Sequence, residues 1–270
     1  MKKNLDIGTL GGLLLGVLSI FGSFALEGGA VGALILLPAI VIVFGGTFGA
    51  AMIGTSIKSF TAIGKLMKLA LFPPQYEVKS AIDQIVKFST IARKDGLLAL
   101  EKELDAVENP FMKKILRFAI DGTDPEVLRS LAETEVNNAA LRHAKSSSVF
   151  QKMGGYSPTM GIIGTVMGLI ATLAAAGEDP NLLIHHIASA FIATLWGVFM
   201  ANIVWLPIAD KLKHIHGEEN LFMEIIVEGI LAIQVGEIPS VIKAKLNSML
   251  PSSQQETEGR EKGRETRRAA

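Results

Sequence analysis

Thr165 and Thr194 sit near the middle of two long apolar runs, and Asn202 follows farther along the second. Hydroxyl and amide oxygens suit hard cations that have shed part of their water. The same residues have a quieter use, because a threonine in a membrane helix often bonds the carbonyl four residues back and does nothing else. Thr165 and Thr194 fall at similar depths in two antiparallel runs, which brings one oxygen from each side to a common level. That pairing makes them the candidate lining of an ion route. The acid such a route needs is missing. None of the apolar runs carries Asp, Glu, Lys or Arg in its central portion, and an ion-driven device normally loads and releases its ion at an ionisable group at membrane depth. If this chain conducts ions, another chain must bring the carboxylate.

The elements that position these residues follow from the hydropathy pattern. Four runs, Leu5–Leu26, Val31–Ile53, Tyr156–Ala176 and Leu183–Ile208, are each close to the ~20 residues that span about 30 Å of hydrocarbon. The chain is 270 residues long and 49% hydrophobic, and its apolar residues gather into the long uninterrupted runs that a soluble domain rarely shows. With 26 basic and 26 acidic residues it has no overall field to attract nucleic acid, and with no cysteine it has no thiolate or disulfide chemistry. Lys2 and Lys3 precede the first run, Lys58, Lys65 and Lys68 follow the second, Lys145 and Lys152 precede the third, and Lys211 and Lys213 follow the fourth. The two short links, residues 27–30 and 177–181, contain no Lys or Arg. Positive charge on one side at every crossing places both termini in the cytoplasm. Met1-Lys2-Lys3 opens like a signal peptide, but the run after it is long, lacks an Ala-x-Ala exit and is followed at once by a second span. It reads as a retained helix.

The expected fold is an all-α integral membrane protein with four transmembrane helices and a large helical cytoplasmic insert between helices 2 and 3. Residues 1–54 form one membrane hairpin, 55–155 the insert, 156–208 the second hairpin, 209–250 a helical cytoplasmic tail, and 251–270 a polar segment expected to be disordered. Inside the insert, Pro73-Pro74 precedes a helix expected over Gln75–Glu103, and Asn109-Pro110 precedes one over Phe111–Ile120. Thr123-Asp124-Pro125-Glu126 starts a third, capped either by Thr123 with Glu126 or by Asp124 with Pro125, running to about Lys152. The tail is expected to be helical over Leu221–Gln234 and Pro239–Leu250.

Glycines recur at four-residue spacing: Gly8, Gly12 and Gly16 in span one, Gly45 and Gly49 in span two, Gly164 and Gly168 in span three. Such a smooth face lets helix backbones come close, within one subunit or between subunits. Pro158 and Pro207 mark the cytoplasmic ends of spans as hinges or as simple helix ends. His185-His186 point about 100° apart on a helix and cannot easily share an ion, so no metal site is expected. His143, His214 and His216 lie among charged faces and read as solvated. Arg93, Lys94, Asp95, Glu101, Lys102, Glu103 and Asp105 form a charged cluster, the usual signature of a solvated helix face. On one helix Arg93 and Glu101 would lie two turns apart and about 80° around the axis, unable to pair. There is no phosphate loop, nucleophile elbow or zinc spacing, and no enzyme chemistry is expected.

Several strings, in this order, resemble the flagellar motor stator family that includes MotA and its sodium-type relatives PomA and MotP. They are Ala92-Arg93-Lys94-Asp95-Gly96-Leu97-Leu98-Ala99-Leu100-Glu101, Asp121-Gly122-Thr123-Asp124-Pro125-Glu126, the run from Gly155 through Pro158 to Gly168, Ala193-Thr194-Leu195-Trp196-Gly197, and Trp205-Leu206-Pro207-Ile208-Ala209-Asp210-Lys211-Leu212. The resemblance extends to about Leu250. It implies a ring of five such chains in the bacterial inner membrane around two copies of a one-span MotB-type partner, whose Asp would supply the absent acid. It implies further that proton or sodium flow turns the ring against the rotor protein FliG, with no cofactor. By motif position Arg93 and Glu101 would bear torque, Thr165 and Thr194 would line the ion route, and Pro158 and Pro207 would flank the channel. The sodium-type pattern commonly has Thr-Thr where this chain has Ala193-Thr194, so the coupling ion stays open. The alternative in the same superfamily is an ExbB- or TolQ-like proton channel that energises envelope processes. Those chains typically have three spans and an outside N-terminus, against which the paired hairpins and Lys2-Lys3 argue.

Overall fold

A computed structural model describes residues 5–175, 177 and 180–252. Every element among them is helical. The described residues divide into two compact units, one made from residues up to 75 together with those from 141 to 216, the other from residues 76–140 together with those from 217 onward.

The first unit holds the apolar runs. Span one is the helix Ile7–Leu26. It begins where Asp6 accepts from the Thr9 amide at 3.2 Å, satisfying one of the orphan donors of a helix start. No residue of this helix is buried within the chain. Its leucines, Leu18 at 67% exposure among them, are left for lipid or another subunit. Span two begins with a short 3-10 turn, Val31–Leu34, and continues as the helix Leu37–Gly54. Span three is part of one 50-residue helix, Pro125–Ala174, and span four is part of another, Pro180–Gln234. These lengths correct the expected boundaries. The helix that starts at Pro125 does not stop near Lys152, and that of span four does not stop at Pro207. Proline removes one amide donor and crowds the preceding turn, but here each break is absorbed inside a helix. Just before Pro207 the turn widens to π geometry over Met200–Trp205, and a second π stretch occupies Val41–Gly45.

Two apolar clusters hold this unit. One joins Phe150, Met153, Trp205 and Ile208 with Ala51 and Ala70. The other gathers Leu34, Ala39 and Val43 of span two against Ile192 and Ala193 of span four. Trp196 lies at the edge of both, in contact with the rings of Phe21, Phe44 and Phe199. Its indole N–H donates to the Leu34 carbonyl at 2.8 Å, which satisfies a polar atom that would otherwise be stranded among apolar groups.

The second unit is built from Val78–Asp95, the 3-10 segment Leu97–Ala106, Pro110–Ile120, the start of the Pro125 helix, the end of the span-four helix, and Pro239–Ser248. The expected helix over Gln75–Glu103 is therefore two elements. Gly96, at φ +83°, ends the first in a conformation that favours glycine. Of the two caps open at the next helix start, Asp124 is the one used: its Oδ1 accepts from the Glu126 amide at 2.9 Å. Ile82, Ile85, Phe88, Leu116, Ile225 and Ile230 are almost fully enclosed in its core, each worth about 1.5–3 kcal/mol of burial. At its edge Glu228 pairs with Arg129 at 2.5 Å and with Lys245 at 3.0 Å. The Arg129 hydrogen bond holds the Glu228 carboxyl below the usual range. The expectation of disorder over 251–270 falls almost entirely outside the described residues.

Candidate ion-route site

Thr165 and Thr194 share a hydrogen bond between their hydroxyls. The Thr165 Oγ1 also lies 3.1 Å from the Gly161 carbonyl, four residues back, and 3.1 Å from the Ala190 carbonyl of span four. The quiet use of such a threonine and the functional one therefore coexist here. The two half-buried side chains gather two hydroxyl and two carbonyl oxygens in one place. An oxygen cluster without a fixed charge can ease dehydration of a small cation or organise water, but it cannot neutralise the charge.

Glycine makes this closeness possible. A Cβ on Gly161 would stand 2.9 Å from the Ala193 carbonyl oxygen and 3.1 Å from the Thr194 Cα. One on Gly197 would stand 2.6 Å from the Ser157 carbonyl oxygen. The two glycines face each other, and their bare backbones let spans three and four approach closely there. Gly164 and Gly168 continue the seam against Ala193 and Ala190, where added Cβ atoms would come within 2.6 and 2.7 Å of alanine methyls. A Cβ on Gly16 would stand 3.2 Å from the Ile203 side chain, whereas one on Gly8 meets only the Asp6 carboxylate and one on Gly12 meets nothing within 4 Å.

The remaining predicted residues are dispersed. Pro158 lies one turn before Gly161 on the same helix, and Pro207 is exposed beyond the π stretch of the other. Asn202 donates its amide to the Val198 carbonyl at 2.9 Å and stays apart from the threonine pair. Arg93 and Glu101 are exposed in the second unit, on different elements, so a common helical angle does not apply to them. Two charges of the same cluster are occupied, Glu103 with Lys87 at 2.7 Å and Asp105 with Lys113 at 3.3 Å. Among the described residues, neither Arg93 nor Glu101 forms an ion pair. His143 and His216 depart from the expectation of simple solvation, since both are half-buried and their rings stack at 5.2 Å.

Sequence reasoning missed Ser157, Gly197 and the Asp6–Lys211 ion pair, which closes at 2.6 Å. Gly197 had a readable signal: it stands three residues after Thr194, on the face that spans three and four share.

Comparison with known proteins places this geometry. Residues 103–225 match the MotA/TolQ/ExbB proton channel family, and residues 10–96 match the motility protein A N-terminal family. Motility protein A of Bacillus subtilis strain 168 is 34% identical over 250 residues, 92% of each chain. The chain belongs to the motility protein A family. Within this family the chemotaxis protein PomA of Vibrio alginolyticus is 34% identical, over 91% of this chain and 96% of its own. The flagellar MotAB stator complex from Bacillus subtilis contains a chain that superposes with a TM-score of 0.85 at 33% identity, covering 92% of this chain and 97% of that one. A C. jejuni MotAB structure gives 0.87 at 31% identity, with the same coverages. As a motility protein A relative with four helices long and apolar enough to cross a bilayer, the chain is a multi-pass membrane protein.

Proposed function

We propose that this chain is a stator subunit of the bacterial flagellar motor. It resides in the inner membrane with both termini in the cytoplasm, and five copies surround a MotB-type one-span partner. The partner's Asp supplies the charge. Thr165 and Thr194 supply neutral oxygens that a proton-bearing water or a sodium ion meets beside that Asp. Pro158 and Pro207 flank this route. Ion passage turns the ring, and Arg93 and Glu101 carry the motion to the rotor protein FliG. The carrying observation is the oxygen cluster at Thr165–Thr194, set where two glycines bring spans three and four into backbone contact and where no acid is present. Family membership over nearly the full chain supports the assignment.

Division of labour between two chains is the core of this reading, and expression with and without the partner tests it. Cytoplasmic pH and sodium are followed with selective dyes. Flux is expected only when the Asp-bearing partner is present, and substantial flux from this chain alone overturns the reading.

A further inference from the structure

Ser157 is fully enclosed, at 0% exposure, and among the described residues its hydroxyl has no hydrogen-bond partner. Other hydroxyls on the same helix behave differently. Ser146, Ser147, Ser148, Thr159 and Thr172 each donate to a carbonyl three or four residues back, the ordinary resting place of a helical hydroxyl. An unmet buried hydroxyl is costly and calls for a partner that is neither side chain nor backbone.

A carbonyl without its regular helical donor lies three residues earlier. Pro158 has no amide proton, so the Gly154 carbonyl loses its regular helical donor. Gly154 is itself buried, with the Leu206 side chain packed against it. Span two, which packs on this helix, carries another orphan. The Thr47 hydroxyl is buried at 1% exposure and has no partner among the described residues. Its neighbour Gly46 is in contact with Met160, three residues after Ser157. Ser157 leads toward Thr165 along its helix: Ser157, Gly161 and Thr165 follow at four-residue intervals, about 12 Å from end to end and about 80° around the axis.

We propose that Ser157, with the Gly154 carbonyl released by Pro158, is a second oxygen site on the ion route, holding a water that relays or hydrates the transported ion two turns from the Thr165–Thr194 pair. The proline thereby gains a chemical role besides bending the helix, since it exposes the acceptor that completes the site. A hydroxyl that can both donate and accept, next to a carbonyl that only accepts, can orient one water for either a proton or a sodium ion. This proposal rests on the stator reading above.

Three variants of the full complex test it, with flux measured in liposomes over a range of ion concentrations. Ser157→Ala removes the hydroxyl and adds no bulk. Ser157→Thr and Ser157→Val add nearly the same shape but differ in the hydroxyl. Ala and Val are expected to lower flux roughly tenfold at limiting ion, the loss associated with one buried hydrogen bond. The concentration for half-maximal flux should rise, and Thr should conduct better than Val. Ser157→Ala conducting like the wild type overturns the proposal alone. Thr conducting no better than Val also overturns it, because shape would then set the rate. A silent wild-type complex overturns the stator reading and this site with it.

Discussion

The Asp6 carboxylate forms an ion pair with Lys211 Nζ at 2.6 Å while its other role is to cap the first span through Thr9. One side chain thus ties the start of span one to the helix turn that follows Pro207. The Lys211 hydrogen bond, helped by Thr9, holds the Asp6 carboxyl below its ordinary value.

That shift fixes a pH dependence. A carboxyl depressed in the folded state contributes stability above its unfolded pKa of about 3.9, and the contribution is lost as pH falls through the lower folded value. Asp6→Asn keeps a capping oxygen but removes the pair, a loss of about 1 kcal/mol at a partly solvated site. Thermal unfolding in detergent should show the variant melting a few degrees lower at pH 7, and the gap closing as pH drops below about 4. A constant gap across that range would show that the ion pair is not the cause.

The threonine pair makes a chemical prediction. Thr165→Val or Thr194→Val keeps the shape and deletes one oxygen, so packing should survive while motility falls several-fold. A lost hydrogen bond between membrane helices is worth about 0.6–2 kcal/mol. Thr→Ser at either site should retain most function. Swimming speed measured across sodium concentrations and pH checks this, and normal speed in both Val variants would remove the pair from the route.

The glycine seam separates packing inside a chain from packing between chains. Gly197→Ala places a methyl against the Ser157 carbonyl oxygen, which is backbone and cannot easily yield. It should destabilise the spans and lower the amount of protein in the membrane. Gly12→Ala meets nothing within its own chain and should leave the protomer folded. If Gly12 faces another subunit, native gels will show protomers that no longer assemble.

Charge reversal tests the torque residues. Arg93 and Glu101 are exposed and form no ion pair among the described residues, so Arg93→Glu or Glu101→Lys should change stability by less than about 1 kcal/mol. Ion flux should persist while motility falls, because complementary charge governs docking register and encounter rate. Partial rescue by a matching reversal on the rotor is the decisive measurement.

Much of this architecture was legible in the chain. Run length gives four spans, and Asn109-Pro110 and Asp124-Pro125 mark the helix starts that the structure uses. Proline misled in the spans. Pro158 and Pro207 invite boundaries, but the helices continue because packing on both sides outweighs one missing hydrogen bond. Gly96 was the more informative break, since its positive φ ends a helix that hydrophobic period alone would have continued to Glu103. At the site, the threonines could be chosen from residue type and depth. Ser157 could not, because whether a helical serine bonds its own backbone is settled by its surroundings and leaves no trace in spacing.

The wide turn at Met200–Trp205 has a consequence for phase. Each residue advances a helix by about 100°, so one residue accommodated in a π turn rotates all that follows relative to all that precedes. The turn acts as a vernier, letting the seam residues Ala190, Ala193 and Gly197 keep one angular setting while Pro207 and Lys211 take another. Deleting one residue there would restore an ordinary α turn and leave Lys211 facing Asp6 and Thr194 opposite Thr165, whereas forcing the same residues into α geometry would swing Lys211 away from Asp6 by about 100°.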